Sequence, residues 1–147
     1  MATVKFETDN LNDMIKRIES FAGSEEVYIE AISSGTEIMK NAIQTGASKH
    51  RRTGAMAKSL KTTKPVQNKY GDWVGRVKFT GSDGVSVSKS GNKFDRTNWI
   101  KAFRIEYGTS KQTAKPFVRP AIQSSESKIN EKMKQVFDRK LSELQWI

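Results

Sequence analysis

The chain has 147 residues, 35% of them hydrophobic and 29% charged, with 26 Lys/Arg against 16 Asp/Glu and a formal net charge of +10. That length suits one domain with a modest core, burying roughly two thirds of its unfolded surface. With no Cys and a single His, disulfides, thiolate metal sites and multi-His metal clusters are excluded.

No apolar run approaches the ~18 residues that a membrane-spanning helix needs. The N-terminus lacks the basic-then-apolar plan of a signal peptide, so a cytosolic assembly environment is expected. The charge is segregated. Met1–Ser48 carries 4 basic and 8 acidic residues, Lys49–Arg119 carries 17 and 4, and Pro120–Ile147 carries 5 and 4. A block as basic as the middle one attracts polyanions or an acidic protein face.

In chain order, Val4 and Phe6 mark at most a short strand. Asp9 or Asn10 can cap a helix whose apolar positions are Leu11, Met14, Ile15, Ile18 and Phe21, ended by Gly23. Ser24 with Glu25 and Glu26 starts a second helix, the acids lying at the positive end of its dipole. Its stripe is Tyr28, Ala31, Ile32, Gly35, Ile38, Met39, Ala42 and Ile43. From Glu25 to Thr45 it would run about 30 Å, with Gly46 as its expected terminator. Lys49–Arg52 reads as a basic loop, and Thr53 can cap a short turn over Ala55–Lys58.

Three extended segments are expected next. Ser59–Val66 contains Pro65, which argues for a strand end or sheet edge. In Asp72–Phe79, Trp73, Gly75, Val77 and Phe79 share one face. In Trp99–Tyr107, alternation places Trp99, Phe103, Ile105 and Tyr107 opposite Arg104 and Glu106. Between the last two, residues 81–98 form a long loop or hairpin carrying Lys89, Lys93 and Arg96; with about nine residues per arm it could reach on the order of 30 Å. Trp99, Phe94 and Trp146 are expected to pack inside, or to anchor subunit contacts if exposed. A long C-terminal helix follows, with the stripe Phe117, Ile122, Ile129, Met133, Val136, Phe137, Leu141 and Leu144.

This order predicts a single α+β domain over 1–147. An antiparallel sheet of about three to four strands packs against two N-terminal helices and one long C-terminal helix.

Catalytic chemistry has little to work with. His50 sits among Lys49, Arg51 and Arg52 with no carboxylate nearby in sequence, and the carboxylate pairs lie at helix starts, where a dipole role suffices. No phosphate-cradling Gly motif is present, so neither an enzyme nor a cofactor site is expected. Lys49, Arg51 and Arg52, with Lys89, Lys93 and Arg96 on the loop, suit phosphate contacts that give affinity without base reading. No helix-turn-helix, zinc finger or ribonucleoprotein motif accompanies them. Gly108 reads as a position of positive φ, Pro116 and Pro120 suit the first turn of a helix, and Glu106 can pair with Arg119.

Thr53-Gly54, Met56 and Ser59, then Ala102, Glu106-Tyr107-Gly108-Thr109, then Pro116-Phe117-x-x-Pro120-Ala121 follow one another in a fixed order. In that order and spacing the chain resembles, over nearly its whole length, the tail-completion (neck, or minor head–tail joining) family of long-tailed bacteriophages. The resemblance implies a non-enzymatic virion protein, made in the host cytoplasm, that completes the tail and joins it to the DNA-filled head. It implies a ring around the DNA channel, six copies by analogy with tail symmetry. The expected neighbours are head-closure and tail-terminator or tail-tube proteins, with nonspecific contact to double-stranded DNA. The chain departs from the usual family pattern in its 81–98 insertion and in ending almost directly after the last helix. The alternatives are a nonspecific nucleic-acid-binding protein and, more distantly, a tail terminator.

Overall fold

The computed structural model describes residues 24–50 and 54–143. The expected Val4–Phe6 strand, the helix through Phe21 with its Gly23 stop, the Thr53 cap, Arg51, Arg52, Leu144 and Trp146 lie outside the described residues. The fold is α+β, with a long C-terminal helix.

Two long helices form its frame: α1, Glu25–Ser48, and α4, Val118–Glu143. They run antiparallel, since Tyr28 meets Phe137 edge-on, Glu30 pairs with Arg139 and Lys140, Gly35 faces Ile129 and Met133, and Gly46 faces Phe117. Both glycines allow close approach: a Cβ at Gly35 would stand 3.1 Å from the Ile129 Cγ2, and one at Gly46 would stand 3.2 Å from Phe117 Cβ. Gly46 therefore does not end α1, which continues to Ser48 with Lys49 as its C-cap. It is a helix-interior Gly whose entropic cost is offset by the packing of Phe117.

The short helix α2, Ala55–Lys58, leads into a bent hairpin made of β1 (Leu60–Thr62), β2 (Val66–Gln67), β3 (Trp73–Val74) and β4 (Val77–Phe79). β1 pairs antiparallel with β4, Leu60 opposite Phe79, and β2 with β3, Val66 opposite Val74. The ladder breaks at Lys64-Pro65, where Pro cannot donate, and across from it at Gly75. There the Thr63 N–H donates to the Arg76 carbonyl at 2.9 Å, and the Thr63 Oγ1 accepts from the Arg76 N–H at 3.1 Å. The break seats Gly75 directly on α1. Trp73, on the expected inner face, stacks on Tyr28 with ring centroids 5.9 Å apart.

A second hairpin pairs β5 (Ser82–Val87) with β6 (Lys93–Thr97), with a bulge between Ser82 and Val85. The strands thus form three two-stranded ladders, because Pro65, Gly75 and the turn at Gly81 each interrupt pairing before a wider sheet can form.

Trp99–Tyr107 is not a strand. It is helix α3, Asn98–Tyr107, whose N-cap Thr97 accepts the Ile100 N–H at 3.3 Å. Its apolar residues fit both periods: Trp99, Phe103 and Tyr107 recur every fourth position as well as on one face of a strand. The side actually buried is Asn98, Ala102 and Glu106, also spaced by four. Ala102 joins Ile43, Ala47, Met56, Ala57, Leu60, Phe117 and Ala121 in the core.

A Cβ at Gly75 would lie 2.6 Å from the Cγ2 methyls of both Ile32 and Thr36. β-Branched side chains in a helix have little rotamer freedom to yield. Gly75→Val is therefore expected to destabilise the protein by about 1–3 kcal/mol. Thermal unfolding followed by circular dichroism checks it, with a drop of roughly 2–10 °C expected at this chain length.

Candidate functional site

The motif residues of the second half of the chain converge on one clasp between α3 and α4. A helix leaves its first four N–H groups without intrahelical partners. Those of α4 belong to Phe117, Val118, Arg119 and position 120. The Glu106 Oε2 accepts the N–H of Phe117 and of Val118, both at 2.8 Å, and its Oε1 accepts the N–H of Arg119 at 3.1 Å. The fourth position is Pro120, which has no N–H. The Ala121 N–H then makes the first helical bond, 3.3 Å to the Phe117 carbonyl. Every donor at this end is accounted for.

Gly108 makes the connection. Its φ of +76° with ψ near 179° ends α3, and its N–H donates to the Arg104 carbonyl at 2.8 Å. A Cβ there would sit 2.8 Å from both the Ala114 nitrogen and the Gln112 carbonyl oxygen, so conformation and space both demand Gly. The returning loop is held by the Lys115 N–H on the Ile105 carbonyl and by a bridge between Thr109 and Gln112. Glu106 does not form the side-chain pair with Arg119 read from the sequence. It bonds the Arg119 backbone, while the Arg119 guanidinium lies 5.2 Å from the Tyr107 ring centroid. Pro116 precedes the buried Phe117, whose ring meets Phe79 edge-on. At the other end of the motif, Gly54 is the N-cap of α2 with φ +75°.

Beside the clasp opens a cleft of about 690 Å³, lined among others by His50, Gly54, Asp83, Arg96, Lys101 and Arg104. Asp83, at the root of the second hairpin, pairs with Lys101 of α3 and, at 3.5 Å, with the Arg96 Nε. The Lys101 hydrogen bond, joined by the charges of Lys101 and Arg96, holds its carboxyl below the ordinary carboxylate range against the opposing effect of burial. His50, expected as a solvated loop residue, is half-buried with its ring centroid 5.3 Å from that of Phe117.

The proposed phosphate-facing cations therefore divide. Arg96 is tied down at the hairpin root, where its guanidinium covers Gly84. Lys93 and Lys89 are exposed toward the turn end of the hairpin, and Lys49 is exposed at the end of α1. Lys101 and Arg104 line the cleft but were missed by sequence reasoning, because on a strand they would point to opposite faces. At helical spacing i, i+3 they lie side by side.

Trp99 and Phe94, expected to pack inside or to anchor subunit contacts if exposed, are 57% and 43% exposed, and on the same helix as Trp99, Phe103 is 49% and Tyr107 54% exposed. Along α3, Trp99 stacks on Phe103 at 5.5 Å between centroids, and Phe103 leans on Tyr107 at 4.7 Å. Among the described residues no three His, Cys, Asp or Glu side chains are grouped to hold a metal ion, and no helix is long and apolar enough to cross a membrane. No family model, curated protein or solved structure matches the chain.

Burial acts most strongly on the Glu106 carboxyl and tends to raise its pKa. The N–H bonds of Val118, Phe117 and Arg119 with the Arg119 charge together outweigh it and hold the pKa below the ordinary value of 4.5. The folded value lies below the unfolded one, so this stabilisation is fully present above that ordinary value and is lost as pH falls through the depressed folded value. Glu106→Ala is expected to cost about 2–4 kcal/mol at neutral pH, since it strands helix-end donors away from water. Urea unfolding from pH 7 down to about pH 2.5 should show the gap between parent and variant closing on the acid side.

Proposed function

We propose that this chain is a non-catalytic neck subunit of a long-tailed phage, completing the tail and joining it to the DNA-filled head as one copy in a ring around the DNA path. The observation that carries this reading is the clasp. The residues on which the family resemblance rests, Glu106-Tyr107-Gly108 and Pro116-Phe117-x-x-Pro120-Ala121, act together as one structural device in which each residue type has a specific task. Residue spacings shared by chance would not have to meet in space. The external surface suits an assembly role, with an aromatic stripe and an exposed hairpin of mixed apolar and cationic character. In this reading Lys89 and Lys93 face DNA or an acidic neighbour, and head-closure and tail-terminator or tail-tube proteins are the partners.

The cationic hairpin and cleft also favour a second reading, a nucleic-acid-binding protein that grips phosphates without reading bases. Its contacts would weaken steeply with salt, as counterions recondense on the duplex.

Inactivating the gene in a phage that carries it separates the two. The neck reading expects DNA-filled heads and free tails that fail to join, visible by negative-stain electron microscopy, with restoration when the protein is supplied in trans. Normal virions would remove it, and a defect in replication or packaging with joining intact would favour the second reading.

A further inference from the structure

The cleft beside the clasp is built from two kinds of surface. Its floor is apolar: Ala47, Met56 and Ala57 belong to the core, and Ile105 packs against them. Its rim is cationic: Arg96, Lys101 and Arg104 stand there with a single carboxylate, Asp83. Asp83 is shared between Lys101 and Arg96, and the Arg96 guanidinium also donates to the Asp83 carbonyl at 3.3 Å. Arg104 has no such commitment. It is exposed, and its side chain makes no hydrogen bond or ion pair among the described residues. Three cations beside one carboxylate leave two positive charges uncompensated, and low-dielectric walls focus the field of charges that line a cleft.

An occupant must therefore bring negative charge, and the rest of the cleft selects among anions. A nucleic-acid strand brings phosphates and bases. Among the lining residues there is no Phe, Tyr or Trp on which a base could stack, and Asp83 repels a phosphate drawn toward Lys101. An acidic protein segment meets every part. One carboxylate can take the Arg104 guanidinium as a two-pronged pair, and a second can take the Lys101 donors that Asp83 leaves free. An apolar side chain between them covers the floor. At the rim, the exposed Gln112 side-chain amide makes no hydrogen bond among the described residues. It offers donor and acceptor side by side, the complement of a peptide unit's own N–H and C=O.

We infer that this cleft is a docking site for an acidic segment of a partner protein, in which an apolar residue is flanked by Asp or Glu. A cleft of about 690 Å³ is the size of a small-ligand pocket, so it grips only a few residues, and a short segment alone binds weakly. The affinity comes from direct contact at Arg104 and the apolar floor. It therefore survives at physiological salt, where exposed charges more than ~8 Å apart are largely screened. The inference rests on the cleft and its charge, not on the neck reading, and either can fail alone.

The test titrates the full-length, nitrogen-15-labelled chain at about 150 mM salt with synthetic peptides, read by the backbone amide resonances. The probe is Gly-Glu-Asp-Leu-Asp-Glu-Gly, and its controls are the amide counterpart Gly-Gln-Asn-Leu-Asn-Gln-Gly and the Ser counterpart Gly-Glu-Asp-Ser-Asp-Glu-Gly. The probe should saturate with a Kd of about 0.1–1 mM, shifting Ala57, Ile105 and Gln112 while leaving Lys89 and Lys93 in place. The amide counterpart should bind at least about tenfold more weakly, and the Ser counterpart about fivefold. Arg104→Gln should weaken the probe about tenfold. Lys134→Gln removes the same charge about 24 Å along α4 from Val118 and should leave binding within about twofold. No saturation by about 5 mM, equal binding of either control peptide, shifts centred on the hairpin turn or the aromatic stripe, or equal effects of the two substitutions would each overturn the inference. Tighter binding of a short DNA duplex at the same amides would overturn it too and favour the nucleic-acid reading. Should Arg104→Gln fold poorly, the shift map and the peptide series on the parent chain decide.

Discussion

One carboxylate sets the relation between the two halves of the molecule. Glu106 sits in the last turn of α3 and holds the three N–H groups that begin α4. A charged acceptor at the positive end of a helix is favourable twice, through hydrogen bonds and through the dipole. With α4 started at this point, Phe117 drops against Gly46 and Phe79, and Ala121 enters the same core. Gln in place of Glu106 would offer one acceptor oxygen for three donors, and a shorter Asp would have to move the backbone to reach them. The surrounding sequence serves this geometry. Gly108 gives the turn its backbone angles and its space, and Pro120 has no N–H at the one position of the first four that Glu106 does not serve.

The parts of the structure legible in the sequence are those where pattern and packing agree. The stripe of α1 is a case: Ala31, Gly35 and Ile43, picked by spacing, are buried. The inward face of the first hairpin, read from Trp73, Gly75 and Val77, does lie against α1. Gly108 was readable because a lone Gly between a turn signal and a polar link has few other uses. Alternation misled at α3 because Trp99, Phe103 and Tyr107 sit four apart and satisfy strand and helix periods at once. The decisive signal was nearby: Thr97 supplies an N-cap, and Lys-Ala-Phe-Arg-Ile-Glu favours a helix by intrinsic propensity. Gly46 misled because a helix-interior Gly made for close packing looks the same in sequence as a helix stop.

The candidate surfaces follow from the same misreading. Treating 99–107 as a strand put Trp99, Phe103, Ile105 and Tyr107 on one face, with Arg104 and Glu106 opposite. As a helix, the segment inverts that arrangement. Buried are Asn98, Ala102 and Glu106, two of them polar residues with structural tasks. Glu106 caps α4, and the Asn98 side-chain amide donates to the Thr80 carbonyl at 2.8 Å, where the first hairpin passes into the second. A helix that spends its inward face on polar joints has its large apolar residues left for the outside. The exposed stripe is thus a consequence of what α3 holds together, and a segment needed only for the fold could have carried smaller, polar residues there.

Asp83 extends this reasoning to the hairpin. Its carboxylate reaches Lys101 on α3 and Arg96 on its own hairpin, so the root of β5–β6 is referenced to the helix that also carries the clasp and the stripe. The turn end of the hairpin has no such tie among the described residues. Lys89 and Lys93 stand there beside the exposed Val85 and Val87. The exposed ion pair at the root contributes little to stability in water, and its value lies in direction. It fixes where the hairpin leaves the body while leaving the far end able to adjust. Removing the Asp83 carboxylate would change where the hairpin points before it changed whether the domain folds. Surface orientation and core stability are therefore separable properties of this chain: Asp83 governs the first and Glu106 the second.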